Sequence, residues 1–181
     1  MNILLVSGSL RAKSNNTLLM HLVSKMEFPD LEFIISNPVS DLPFFNQDLD
    51  SEENVPDSVR VWRKRIEVSG GIIFFTPEYA HSIPGSLKNA IEWLVSSFEI
   101  IEKPCMVISS APNHLGAERA NSMLQNLLVV ISAKIYKNLS VCIGSINKKI
   151  TEDGFLQNSE TEDIIKQSLL SFIKELNKIK Q

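Results

Sequence analysis

The sequence predicts a doubly wound α/β fold, a three-layer sandwich with helices on both faces of a parallel sheet. Three observations predict it. Short apolar runs of strand length alternate along the chain with longer segments of helical periodicity. Several of the short runs are apolar without polar alternation, which a strand covered on both faces requires. A length of 181 residues, 44% of them hydrophobic, suits one domain, residues 1–181, with a full core.

The elements follow in order. ILLV (3–6) is the first strand, followed by a polar turn and a helix over 18–26. LEFIIS (31–36) is the second strand, and the polar stretch 37–56 after it is long enough to be functional. Val59, Trp62 and Ile66 mark the next helix, and GIIFF (71–75) is the third strand. Leu87, Ala90, Ile91 and Leu94 trace the helix after it, and CMVIS (105–109) is the fourth strand. Ala120, Met123, Leu124, Leu127, Leu128 and Ile131 fall on one helical face. SVCIG (140–144) is the fifth strand; a loop over 147–161 leads to a closing helix over 164–179. Right-handed crossovers place helices on both sides of such a sheet. Ligands then bind at the carboxyl ends of the strands where the winding reverses, so the loops after strands one, three and four are the candidate site.

Composition narrows the function. A net charge of -3 gives no global attraction to nucleic acid or an anionic membrane. No segment approaches the roughly 18 apolar residues of a membrane span, and MNILLVSGSL lacks the basic start of a signal peptide. A cytoplasmic location is expected. Cys105 and Cys142 lie in apolar contexts outside any CxxC pattern, and both are expected to be buried thiols. No His, Cys, Asp and Glu cluster has ligand spacing, so no metal is expected.

The loop after the first strand, SGSLRAKSNNT (7–17), joins a strand to a helix start through small and polar residues. That arrangement gathers unpaired backbone N–H groups and a partial positive charge around one small volume. Ser9, Ser14, Asn16 and Thr17 add side-chain donors, and Arg11 adds a charged fork suited to phosphate oxygens. Capping by Ser14 or Asn15 would explain one of these groups and leave the others without a task. Neither GxxxxGK[ST] nor GxGxxG is present, so this is not a Walker loop or the usual dinucleotide turn.

The loop after the third strand reads TPEYAHSIPGSLKNAIEWLV. Pro77 and Pro84 stiffen it, Pro84 and Gly85 suit a helix start, and Ser82 is a candidate cap. A preshaped backbone here can meet the edge of a planar polar ring while Tyr79 lies against it; read by itself, the loop fits an ordinary strand-to-helix turn with a surface tyrosine equally well.

Together, GSLRxxSxN and PEYxxSxPGxLKNAIEW resemble the NADPH-dependent FMN reductase family of flavodoxin-like proteins, which includes quinone, azo-dye and metal-oxyanion (chromate) reductases. The resemblance extends to DLPFFNQDLD (41–50) and KPCMVISSAPNHLGAERA (103–120). It implies a five-stranded sheet of order 2-1-3-4-5 and FMN as cofactor, with NADPH or NADH as co-substrate. Ser9, Arg11, Ser14, Asn16 and Thr17 would hold the FMN phosphate. Pro77, Glu78, Tyr79 and Ala80 would border the isoalloxazine, largely through backbone groups, with the loop from Ser110 closing the far side. The implied activity is ping-pong transfer of hydride from NAD(P)H through FMN to a small acceptor: a quinone, flavin, azo compound or oxyanion. The implied assembly is a homodimer or homotetramer, with the helix over 86–98 as a contact. The chain departs from the family where Ala80 stands for a frequent Asn, Ala111 for a second serine and Asn113 for a glycine.

A flavin carries its own hydride chemistry, so no protein acid or base is assigned. His81 and His114 are read as surface or substrate-contact residues, His21 has no site role, and Trp62 and Trp93 are read as core or subunit packing. A flavodoxin-type electron carrier that does not react with NAD(P)H is the alternative. Arg11 and the near-neutral charge disfavour it.

Overall fold

The computed structural model describes residues 1–11, 13–151 and 153–179. Strand β1 (Asn2–Ser7) leads into helix α1 (Asn15–Ser24), and β2 (Glu32–Ile35) returns beside β1. After a loop with two short 3-10 turns come α2 (Asp57–Val68), β3 (Gly71–Thr76), α3 (Gly85–Glu92), β4 (Pro104–Ser110) and α4 (Glu118–Val130). The chain ends with β5 (Lys134–Ile135), β6 (Val141–Ile143) and α5 (Ser159–Ile179). The pairings are parallel and run β2-β1-β3-β4-β5, the expected order.

The fifth position in the sheet differs from the expectation in being split. β5 pairs with the start of β4 and β6 with its end, separated by a 3-10 turn at Lys137–Leu139. At the break, the Ser140 hydroxyl accepts the Val107 N–H at 3.2 Å, so a side chain fills the gap in the ladder. The sequence reading found only the second piece, because two residues of strand are too few to show a period.

Burial explains the unbroken apolar runs. Leu4, Val6, Ile72, Phe74, Cys105 and Val107 face a core shared with α2, α3 and α4. Their neighbours Ile3, Leu5, Ile73, Phe75, Met106 and Ile108 face a second core shared with α1 and α5. Successive side chains of a strand point to opposite faces, and here both faces are covered. Trp93 is fully buried and Trp62 nearly so, with their indole N–H groups donated to the Pro43 and Ala90 carbonyls.

The cysteine expectation holds for one residue only. Cys105 is buried, and burial pushes its thiol well above the usual range. Cys142 is exposed, because on edge strand β6 it points away from the core that takes Val141 and Ile143.

The 37–56 loop is fastened to the sandwich. Asn89 accepts the Phe45 N–H at 2.7 Å and donates to the Pro43 carbonyl at 2.9 Å, while Phe45 packs edge-on against Trp93 at 5.0 Å.

Candidate functional site

A cleft of about 410 Å³ opens at the carboxyl end of the sheet, above β1, β3, β4 and β6. Its size falls within the range of small-molecule sites. Ser9, Arg11, Ser14, Asn16, Pro77, Glu78, Tyr79 and Ser110 line it, so the topology brings together residues drawn from three separate loops.

One end of the cleft, the loop after β1, is built around the start of α1. Ser14 is the N-cap, its hydroxyl accepting the Thr17 N–H at 3.3 Å. Capping and site geometry thus coincide in one residue. The first turn of α1 carries no acidic residue to neutralise the positive end of the helix. By helix geometry the amides of Asn15 and Asn16 have no carbonyl one turn back. Ser9 is nearly buried and its hydroxyl accepts the Arg11 N–H at 3.4 Å, while the exposed Arg11 guanidinium donates to the Lys13 carbonyl at 3.2 Å. This end offers hydroxyls, helix amides and a guanidinium, a donor set that fits a phosphate.

Two members of the expected group point elsewhere. Thr17 does not line the cleft, its hydroxyl lying 2.9 Å from that of Ser7. Asn16 lines it with a side chain committed to Ser110. Its Oδ1 accepts the Ser110 N–H and O–H, each at 3.0 Å, and its Nδ2 donates to the Ser110 carbonyl at 3.2 Å.

The opposite end is the loop after β3. Tyr79 and Ser82 exchange both backbone hydrogen bonds at 2.9 Å, and the two residues between them, Ala80 and His81, have φ of 50° and 60°. This is the geometry of a type I′ turn. It carries Ala80 out to the exposed surface, away from the cleft lining. Ser82 does not cap α3; Pro84 occupies the cap position, and the Ser82 hydroxyl meets the Met123 sulfur at 3.0 Å.

Glu78 places its carboxylate between His81 of its own loop and the start of α4. Oε2 accepts the N–H groups of Arg119 and Ala120 at 3.1 and 3.2 Å, and Oε1 lies 3.1 Å from His81 Nδ1. Burial alone would raise its pKa, but the hydrogen bonds from His81 and from the Ala120 and Arg119 amides outweigh burial and hold it below the usual glutamate range.

The sequence reading missed one wall. Ile146, Asn147, Ile150 and Thr151, from the segment after β6, line the cleft together with Ala111 and Pro112. The Asn15 amide donates to Asn147 Oδ1 at 2.7 Å, joining this wall to the start of α1. No local sequence signal marks it, since its place depends on where β6 ends. The loop after β4 is packed main chain against main chain: a Cβ on Gly144 would lie 2.1 Å from the His114 carbonyl oxygen. Asn113, one of the family departures, accepts the N–H groups of Leu115 and Gly116 at 3.0 and 3.2 Å and so orders this loop.

Among the described residues no group of His, Cys, Asp and Glu could hold a metal ion, and no helix is long and apolar enough to cross a membrane.

Comparison with known proteins matches residues 1–148 to a family model described as NADPH-dependent FMN reductase. The chain is 28% identical over 176 residues to a quinone reductase of Escherichia coli, covering 96% of this chain and 94% of that protein. It is 31% identical over 183 residues to NADH-dependent flavin reductase subunit 2 of Lactobacillus johnsonii, covering 96% of each. Among solved structures it is similar to FerB, a flavoenzyme NAD(P)H:(acceptor) oxidoreductase from Paracoccus denitrificans. The TM-score there is 0.88 at 30% identity, covering 98% of this chain and 97% of that one, which bears out the flavodoxin-like fold.

Proposed function

The chain belongs to the NADPH-dependent FMN reductase family, and from that premise we propose that it is an NAD(P)H oxidoreductase that holds FMN in the cleft and serves a small acceptor. The observation that carries the proposal is the two-ended chemistry of the cleft. One end gathers Ser9, Arg11, Ser14 and the α1 amides, and the other presents the proline-stiffened loop with Tyr79 half exposed at its edge.

Bound FMN would supply the hydride chemistry. The residues of this chain hold and orient it. Ser9, Arg11 and Ser14 would receive the phosphate, and the backbone of residues 77–79 would meet the ring edge, with Ser110 and Pro112 forming the wall across from it. The Glu78 carboxylate, occupied at α4, takes no part as a proton donor. Donor and acceptor would use one open face in turn, which is a ping-pong order. Quinone and flavin reductase names among the relatives support acceptors of those classes. A homodimer or homotetramer would place subunit contacts on the apolar surface after α3, where Val95 and Phe98 are exposed.

Anaerobic titration of the FMN-loaded protein with NADPH and then NADH tests the reading. Bleaching of the oxidised flavin that an added quinone reverses is the expected result. Stable yellow colour with both donors would reject the reductase in favour of an electron carrier. Initial rates that give parallel double-reciprocal lines are expected for the ping-pong order, and intersecting lines would reject it.

A further inference from the structure

Two consecutive residues at the start of α1 reach two different walls of the cleft. Asn15 bonds Asn147 in the segment after β6, at a solvent-exposed contact. Asn16, only 3% exposed, bonds the N–H, O–H and C=O of Ser110, itself 2% exposed. Ser110 lies one residue beyond the last β3–β4 pair, Thr76↔Ser109. Its backbone groups are therefore past the β3 ladder, and a buried amide left unpaired there would be destabilising. An asparagine side chain, with a donor and an acceptor side by side, matches a peptide group in a way that Ser, Asp or Leu at this position would not.

Resting on the flavin reading above, we infer that Asn15 and Asn16 are positioning residues, whose side chains register the ring-side wall and the outer wall to the phosphate end of α1. The Asn16 side chain acts on Ser110 and is not a phosphate ligand. Its role is shared by any ligand that fills the cleft, whether or not that ligand carries a phosphate.

FMN and riboflavin differ by the phosphate alone, so their affinities separate the two roles. Dissociation constants for both would be measured by flavin fluorescence in wild type, Asn16→Ala and Asn15→Ala. Exchange of the Ser110 amide would be followed by NMR in flavin-free protein. Asn16→Ala is expected to weaken both flavins by about tenfold and to speed exchange at Ser110. Asn15→Ala, which alters an exposed bond and keeps the comparison open if Asn16→Ala fails to fold, is expected to weaken both by about threefold. A loss confined to FMN would overturn the inference. So would a lowered melting temperature with both affinities unchanged, which is what a purely structural role gives. Wild-type protein that takes up neither flavin would instead overturn the proposed function, and Ser110 exchange would still report whether Asn16 holds the wall.

Discussion

The carboxylate of Glu78, from the loop after β3, caps helix α4 by accepting the N–H groups of Arg119 and Ala120. The cap comes from a distant segment, since the local cap residue Ala117 makes no side-chain hydrogen bond. One residue therefore fixes the loop that borders the cleft and satisfies the positive end of a helix on the other side of that loop.

Removing that cap should be felt in stability. Glu78→Ala is expected to cost about 1–2 kcal/mol in denaturant unfolding. Glu78→Gln keeps an acceptor and loses the charge, so its cost should be smaller. Because the folded-state pKa of Glu78 is lowered, its charge stabilises the fold above the ordinary glutamate value, and that contribution is lost as pH falls through the folded value. Melting temperatures of wild type and Glu78→Gln should therefore differ at neutral pH, begin to converge as pH falls below the ordinary glutamate value, and meet once pH is below the lowered folded value.

Ala80 sits at φ 50° in the turn closed by Tyr79 and Ser82. Left-handed backbone is unfavourable for alanine and tolerated by asparagine, the residue the family often carries here. Ala80→Asn is expected to stabilise the protein by about 0.5–1 kcal/mol, read from chemical denaturation. A destabilised variant would show that the side chain at 80 matters through contacts and not through the backbone.

Arg11 is exposed, and its guanidinium donates to the nearby Lys13 carbonyl. On the proposed reading, its charge meets the FMN phosphate at the cleft that Arg11 lines. Arg11→Ala should weaken FMN about ten- to a hundredfold with riboflavin nearly unchanged, and equal loss for both would move Arg11 away from the phosphate. The contrast with Asn16→Ala is internal to the same titration.

Gly144 has no room for a side chain, since its Cβ would meet the carbonyl oxygen of His114, a backbone atom that cannot swing aside. Gly144→Ala should cost about 1–3 kcal/mol. It should also weaken flavin binding, because the 111–117 segment it displaces carries the Ala111 and Pro112 wall. Denaturant unfolding and flavin titration of the same preparation check both effects.

Much of this was legible in the chain. The runs ILLV, GIIFF and CMVIS are apolar throughout because each strand is covered on both faces, and periodicity at α4 is set by one buried stripe of Ala120, Leu124 and Leu128. The clustering of Ser9, Arg11 and Ser14 at the cleft is a local signal, since a loop and the start of the helix that follows it are contiguous in sequence. These features depend on contacts near in sequence or on solvent exclusion, and residue type alone encodes them.

What tertiary structure alone decided lies between distant segments. That Asn16 serves Ser110, that Glu78 caps α4, and that Asn147 closes the cleft against Asn15 are relations across 94, 41 and 132 positions. A polar side chain in the sequence shows only what it can donate or accept; which partner it receives is fixed when the sheet order 2-1-3-4-5 brings the strand ends to one edge. The sequence by itself determined the layers and the elements that build them, and it placed Ser9, Arg11 and Ser14 in one loop at a helix start, through local pattern and burial. The walls of that cleft were decided by the fold, because a hydrogen bond between segments has no period to read.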